Sequence, residues 1–385
     1  MRQLAAAHDL VPLSYYGGPI DPDYEAELRR NFPAAEPVAT KLPEAEVAAY
    51  AARILHPAPY AVAKFTSPVV RSLVRARLDD GSFDVAVCDF LSASLNFPRR
   101  PATPCVLFQH NVETTLWRRQ ATHAPGLAAR LAFTVEAWKM ARYERHTVAR
   151  FERVIAVSEA DRAVMGTMTD PARISVVPTG VDVTAFRAIA HSAAKRPVVM
   201  FLGSMDWEPN VDAVEYFVHD VWPSVLRAVP DAAFWVVGRN PGPSMLALNS
   251  DSVRVTGTVP SVLEYLEQAA AVVVPLRVGG GTRLKILEAM AAGRAVVSTS
   301  IGAEGLDVMP DRDIVLADDR ERMASDVIDL LRNPQRRASV GRAAAESAGR
   351  FDWASVATAM EDVLCRAATI RPRTARAARM VEADA

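Results

Sequence analysis

The chain has 385 residues, more than one ordinary core holds, so two domains are expected. Half of the residues are apolar and the formal net charge is -1, which describes a globular protein without the basic field that nucleic acid requires. Three scattered cysteines (Cys88, Cys105, Cys365) and the lack of a long apolar run argue against a disulfide framework, a metal cluster and a membrane span, and residues 1–15 lack the pattern of a signal peptide.

In chain order, Met1–His8 reads as the last turns of a helix entering a strand at Asp9–Ser14. A doubly wound domain normally opens with a strand and a glycine turn, so this N-terminal domain is expected to lack its first strand. Pro19–Pro43 reads as irregular surface structure with short helices, and its Asp21-Pro22-Asp23 as an accidental spacing rather than a metal motif. Further strands are expected at Val85–Cys88, Cys105–Gln109, Arg153–Val157 and Ile174–Val177. A second series is expected at Val198–Leu202, Ala233–Val237, Val253–Thr256, Ala271–Pro275, Ala295–Ser298 and Ile314–Val315. These runs are apolar throughout rather than alternating, which marks strands covered on both faces. With helical patterns between them, they predict an α/β protein with parallel sheets.

A helix over about Leu127–Phe151 carries Leu127, Leu131, Val135 and Trp138 on one face and Arg130, Lys139, Arg142, Arg145 and Arg150 elsewhere. It reads either as an outer helix in water or as a surface for an anionic membrane or lipid-linked acceptor. Residues 187–197 are small, polar and unpatterned and read as a linker. The expected organisation is therefore an N-terminal domain (1–187), a C-terminal domain (188–352), a helix over 353–370 crossing back to the N-terminal domain, and a tail (371–385). Two doubly wound domains of this kind bind ligands at the carboxyl ends of their strands, in a central cleft.

Residues 273–293 hold the richest chemical signal. A buried strand leads into Gly279, Gly280 and Gly281, then Thr282, and then a helix carrying Arg283, Lys285 and Glu288. Successive glycines let the backbone approach a ligand, and a helix N-terminus offers free N–H groups to an anion. Arg283 and Lys285 add positive charge, and Glu288 accepts bonds from hydroxyls. Such a site suits a ligand with phosphates and a sugar.

Taken with Phe108–Glu113, Val154–Glu159, Val177–Asp182, Phe201–Asp212, Gly238–Pro241 and Ser300–Leu306, this run resembles the family 4 retaining glycosyltransferases of the GT-B fold (glycosyltransferase group 1), over roughly residues 80–350. The Gly-Gly-Gly-Thr-Arg-Leu-Lys variant is similar to bacterial enzymes that build exopolysaccharide or cell-surface glycans. The resemblance implies transfer of a sugar from a nucleotide-diphosphate sugar to a hydroxyl of a glycan or lipid-linked acceptor, with retained anomeric configuration. It implies no cofactor or metal and no nucleic-acid partner. It further implies a cytoplasmic setting, with peripheral contact at the inner face of the membrane as an expectation.

By the same resemblance, His110, Glu113 and Arg283 are the catalytic candidates. Gly203, Ser204, Asn210, Arg239, Gly280, Gly281, Thr282, Arg283, Lys285 and Glu288 are the candidates for holding the donor. Arg283 is favoured over Lys285 for the phosphates because its fork suits their oxygens. Trp207 either packs over the donor or caps the floor of the site, and Ser158 and Asp182 are weaker candidates. Two departures stand out. Gly280 occupies the position of the first of two glutamates often found eight apart in the family, leaving Glu288 alone. Ser204 and Asn210 occupy positions where the family often has an arginine and a lysine, so the cationic role falls on Arg283, Lys285 or Arg239. A catalytically impaired sugar-nucleotide-binding protein and a sugar-nucleotide epimerase are the alternative readings.

Overall fold

The computed structural model describes residues 1–40, 56–124, 126–187, 196–279 and 283–370. The linker segment 188–195, the glycine-run residues Gly280, Gly281 and Thr282, and the tail 371–385 lie outside the described residues. The chain forms two compact units, Met1–Pro178 with the chain from Ala357 onward, and Thr179–Val356.

In the first unit, strands β1 (Leu13–Gly17) and β2 (Glu36–Thr40) form a parallel pair of their own. A four-stranded parallel sheet follows in the order β3 (Ala86–Asp89), β4 (Cys105–Gln109), β5 (Arg153–Ala156), β6 (Ile174–Val176). Leu107, Val154, Ile155 and Ala156 are fully buried, as expected of strands with helices on both faces. Helix Pro68–Asp79 shows why its sequence folds locally: Ser67 caps it, Pro68 starts it, and Val70, Val74 and Leu78 recur every four residues to enter the core. Cys88 and Cys105 are buried free thiols, and Cys365 is exposed.

The N-terminal segment differs from expectation in two ways. The strand read at Asp9–Ser14 sits at Leu13–Gly17, because Pro12 has no N–H to donate; its carbonyl instead accepts from the Glu36 amide at 2.8 Å. The stretch read as irregular with short helices holds such a helix, Pro22–Asn31, but also the strand β2. Asp21 is the N-cap of that helix, taking the Tyr24 amide at 3.0 Å, so the Asp-Pro-Asp spacing is a capping sequence.

The second unit is one six-stranded parallel sheet in the order β12-β11-β10-β7-β8-β9. The strands are β7 (Val198–Leu202), β8 (Ala233–Val237), β9 (Val253–Val255), β10 (Ala269–Val274), β11 (Ala295–Ser298) and β12 (Val315–Leu316). Counted from β7, this is the doubly wound order 3-2-1-4-5-6, which reverses direction between β7 and β10. β7 is buried along its length and β10 at all but Ala270, and Phe217 and Trp222 pack on Phe234 of β8. Ligands of such sheets sit outside the carboxyl ends of the strands at the reversal, here beyond Leu202 and Val274.

Candidate functional site

Beyond β7 comes Gly203, and beyond β10 comes a loop that reaches helix Leu284–Ala291. The loop is anchored from β11. The Ser298 hydroxyl donates to the Val274 carbonyl at 3.2 Å, and the Thr299 hydroxyl to the Leu276 carbonyl at 2.5 Å. Gly279 has φ +134, a conformation that a side chain would strain, and a Cβ there would lie 3.3 Å from the Trp207 ring and 3.4 Å from the Arg283 guanidinium.

Lys285 lies in the first turn of that helix and directs its ammonium back across the switch point. Nζ donates to Asn210 Oδ1 at 2.6 Å and lies 4.3 Å from the centre of the Phe201 ring. Asn210 is buried and donates in turn to the Ser204 carbonyl at 2.7 Å. A Cβ on Gly203 would lie 2.7 Å from Lys285 Nζ and 2.8 Å from Asn210 Nδ2, so the cation rests directly on this glycine. Burial lowers the Lys285 pKa to about 7, with the positive charge of Arg283 adding to the effect.

Glu288 stands one turn further along, on the same face as Lys285 by its i+3 spacing. Burial pushes its carboxyl up to about 7, and the Lys285 charge holds it down in part. The side chain is half-buried, and no described residue donates a hydrogen bond to it. A desolvated, half-exposed carboxylate at the mouth of a switch point is suited to ligand hydroxyls.

Arg283 is the N-cap residue of the helix and is buried; its Nη2 donates to the Ile301 carbonyl at 3.2 Å. Of the two cations weighed from the sequence, Lys285 is the one that reaches Gly203. Arg239, beyond β8, donates from Nε to the Ser204 hydroxyl at 2.9 Å. Ser204 donates to Asp206, and Asn240 donates to the other Asp206 oxygen at 2.9 Å. This edge network of Ser204, Asp206, Arg239 and Asn240 includes two members that the sequence reading did not single out. A third omission is Gly238, whose Cβ would fall 1.7 Å from the Gly203 carbonyl oxygen. The paired glycines let the ends of β7 and β8 meet.

The candidates in the first unit gather at the ends of β3 and β4. His110 follows β4, and its Nε2 donates to Asp89 Oδ1 at 2.7 Å. The imidazole stacks on Phe90, with centroids 4.0 Å apart, and leans on Phe108 at 4.2 Å. Phe90 has φ +67 and ψ 144, a region ordinarily left to glycine. Parallel register places Asp89 beside Phe108, which sets the carboxylate next to the residue two further on.

Glu113 opens helix Glu113–His123. Its own carboxyl is raised to about 7 by burial first and by the neighbouring Glu144 second, with a bond from Trp117 opposing. Glu144 is fully buried and accepts from Gln109 Nε2 (2.7 Å) and from the amides of Glu113 (2.8 Å) and Thr114 (3.0 Å). It therefore caps the helix that follows His110. Ser158 and Asp182 are capping residues, taking the Asp161 and Ala185 amides at 3.0 and 2.9 Å.

Among the described residues no group of three or more His, Cys, Asp or Glu side chains has metal-site geometry, and no helix is long and apolar enough to cross a membrane.

Two family models match the chain: Glycosyltransferase Family 4 over residues 33–185 and Glycosyl transferases group 1 over residues 196–333. A D-inositol 3-phosphate glycosyltransferase of Segniliparus rotundus is 29% identical over 237 residues, 56% of this chain and 52% of that protein. The chain thus spans about half the length of this relative. A phosphatidyl-myo-inositol mannosyltransferase of Mycobacterium leprae is 27% identical over 305 residues, 76% of each chain. Among solved structures, sucrose-phosphate synthase from Thermosynechococcus elongatus superposes with a TM-score of 0.69 over 95% of this chain and 90% of its own, at 17% identity, a likeness of fold. The two units are the Rossmann-like halves of a GT-B protein, and the chain belongs to the group 1, family 4 glycosyltransferases.

Proposed function

We propose that this chain moves a sugar from a nucleotide-diphosphate sugar to a hydroxyl of a glycan or lipid-linked acceptor, with retention, in the cytoplasmic assembly of a surface glycan. The observation that carries the reading is the Lys285 ammonium on Gly203 at the β7/β10 switch point, with Glu288 available one turn away. Lys285 neutralises the diphosphate, Glu288 accepts the ribose hydroxyls, and Ser204 and Arg239 border the same strand end. Gly280 and Gly281 are proposed as backbone donors to the phosphates, and Thr282 as a further residue holding the donor.

In the reaction, the bond from the anomeric carbon to the phosphate oxygen breaks as the acceptor oxygen bonds on the same face. The acceptor proton passes to the departing phosphate. Charge growing on that leaving group is what Lys285, Arg283 and the amides are placed to stabilise, so the step asks for no metal and no enzyme nucleophile. His110, held by Asp89 and Phe90, is assigned to the positive charge developing at the sugar.

The test is calorimetric titration of UDP, GDP and ADP sugars, followed by product analysis with an acceptor-lipid extract. One nucleotide should bind well and lose affinity in Lys285→Ala and Glu288→Ala. Unchanged binding in both variants would remove the site assignment.

A further inference from the structure

We propose that the outward face of helix Gly126–Arg150 is a docking surface for an anionic lipid bilayer, which deepens the reading of a lipid-linked acceptor and rests on it for its biological purpose. The helix is built inside out. Its two carboxylates, Glu136 and Glu144, are buried, as are Lys139 and Thr147. Glu136 pairs with Lys139 at 2.9 Å and takes the Tyr60 amide at 2.7 Å, while Glu144 caps the neighbouring helix.

Large apolar side chains point the other way. Leu127, Leu131 and Trp138 are 86%, 67% and 67% exposed. Their spacings of four and seven residues place them on one stripe. Sparse exposed leucines need no explanation, but an aligned pair with a tryptophan does.

The rest of the face settles the partner. Arg130, Arg142 and Arg145, read from the sequence as lying off the apolar face, are exposed on the same side as the stripe, with His146 beside them, and no exposed residue of the helix is acidic. None of these arginines forms an ion pair among the described residues; Arg145 donates only to the Thr167 carbonyl at 3.3 Å. An apolar stripe flanked by arginines, with an indole at its centre, matches the acyl boundary and phosphate layer of an anionic membrane. A second copy of the chain fits poorly, because a symmetric contact would set arginines against a surface with no carboxylate to pair. Each arginine near such a membrane contributes about a fivefold gain in binding, lost to screening in salt.

The experiment is co-sedimentation of the full chain with vesicles of phosphatidylglycerol and phosphatidylcholine, against phosphatidylcholine alone, at low and high salt. The variants are Leu127→Ser/Leu131→Ser/Trp138→Ser and Arg142→Glu/Arg145→Glu, with circular dichroism to verify folding. The chain should bind the anionic vesicles in low salt, and each variant should bind at least about tenfold more weakly while its affinity for the nucleotide sugar is unchanged. Equal binding to neutral vesicles, or variants that bind as well as the parent, would overturn the proposal. A concentration-dependent dimer dispersed by the same substitutions would assign the face to a second copy instead. Vesicle binding is read without donor, so a failed donor assignment leaves this result legible.

Discussion

Lys285 and Asn210 are 75 residues apart in sequence, and their side chains meet at 2.6 Å above Gly203. By the resemblance, Asn210 stands where the family often has a lysine. Here the Lys285 ammonium, from the helix beyond β10, bonds to that side chain. Replacing Lys285 with Met keeps the length of the side chain and removes the charge. Affinity for the nucleotide sugar should fall about 10- to 100-fold, the range for a charge-assisted hydrogen bond, with little change in stability. Titration calorimetry on the variant checks this.

The pH dependence of donor binding follows from the two shifted groups. Lys285 titrates near 7 in the free protein, and phosphates require its charged form, so affinity should decline as pH rises above about 7. Glu288 also titrates near 7, and hydroxyl recognition uses its ionised form, so affinity should decline below about 7. The result is a bell whose two arms belong to the interacting pair. Lys285→Arg should remove the alkaline arm, which a titration series from pH 6 to about 9 would display.

Glu113 makes a prediction about stability. Its carboxyl is raised from 4.5 to about 7 in the fold, so the native state holds the extra proton between those values and stability falls as pH climbs through that window. Glu113→Gln should therefore stabilise the chain at pH 8, by about 1 kcal/mol or more, and do little at pH 4.5. Thermal melts at both pH values give the comparison; equal effects at both would contradict the buried-carboxyl account.

Gly203 and Gly238 adjoin each other and should respond differently to alanine. At Gly203 the new methyl meets the ends of the Lys285 and Asn210 side chains, so the fold should survive at a cost of about 1–3 kcal/mol while donor affinity drops. At Gly238 it meets the Gly203 carbonyl, which cannot give way without parting β7 from β8, and the cost should exceed about 3 kcal/mol. Denaturant midpoints separate the two outcomes.

On the proposed mechanism, Asp89 acts through His110. Asp89→Asn keeps the shape but weakens the control over which ring nitrogen carries the proton, so turnover should fall about 10- to 100-fold with donor affinity intact. His110→Ala should be at least as severe. A parallel loss of donor affinity would show that the substitution acts through the fold.

The strands were legible because parallel sheets covered on both faces need unbroken apolar runs, and Val198–Leu202, Ala233–Val237 and Cys105–Gln109 fall where their sequences place them. β2 was not, since Pro37 interrupts its short pattern. Candidate residues could be gathered from one contiguous glycine run, but their partners could not. The bond from Lys285 to Asn210 exists only because strand order sets β10 against β7, and that between His110 and Asp89 only through the register of β3 on β4. The inverted burial of helix Gly126–Arg150 was equally hidden, because spacing gives a stripe without saying which side faces water.

Phe90 leaves a trace that selection experiments would find. A phenylalanine held at φ +67 carries a conformational penalty of about 1–3 kcal/mol that glycine would escape. A library screened for heat resistance alone should enrich Phe90→Gly, and the winners should be sturdier proteins that have lost the ring flanking His110. On the proposed mechanism, robustness and turnover are thus opposed at a single backbone angle.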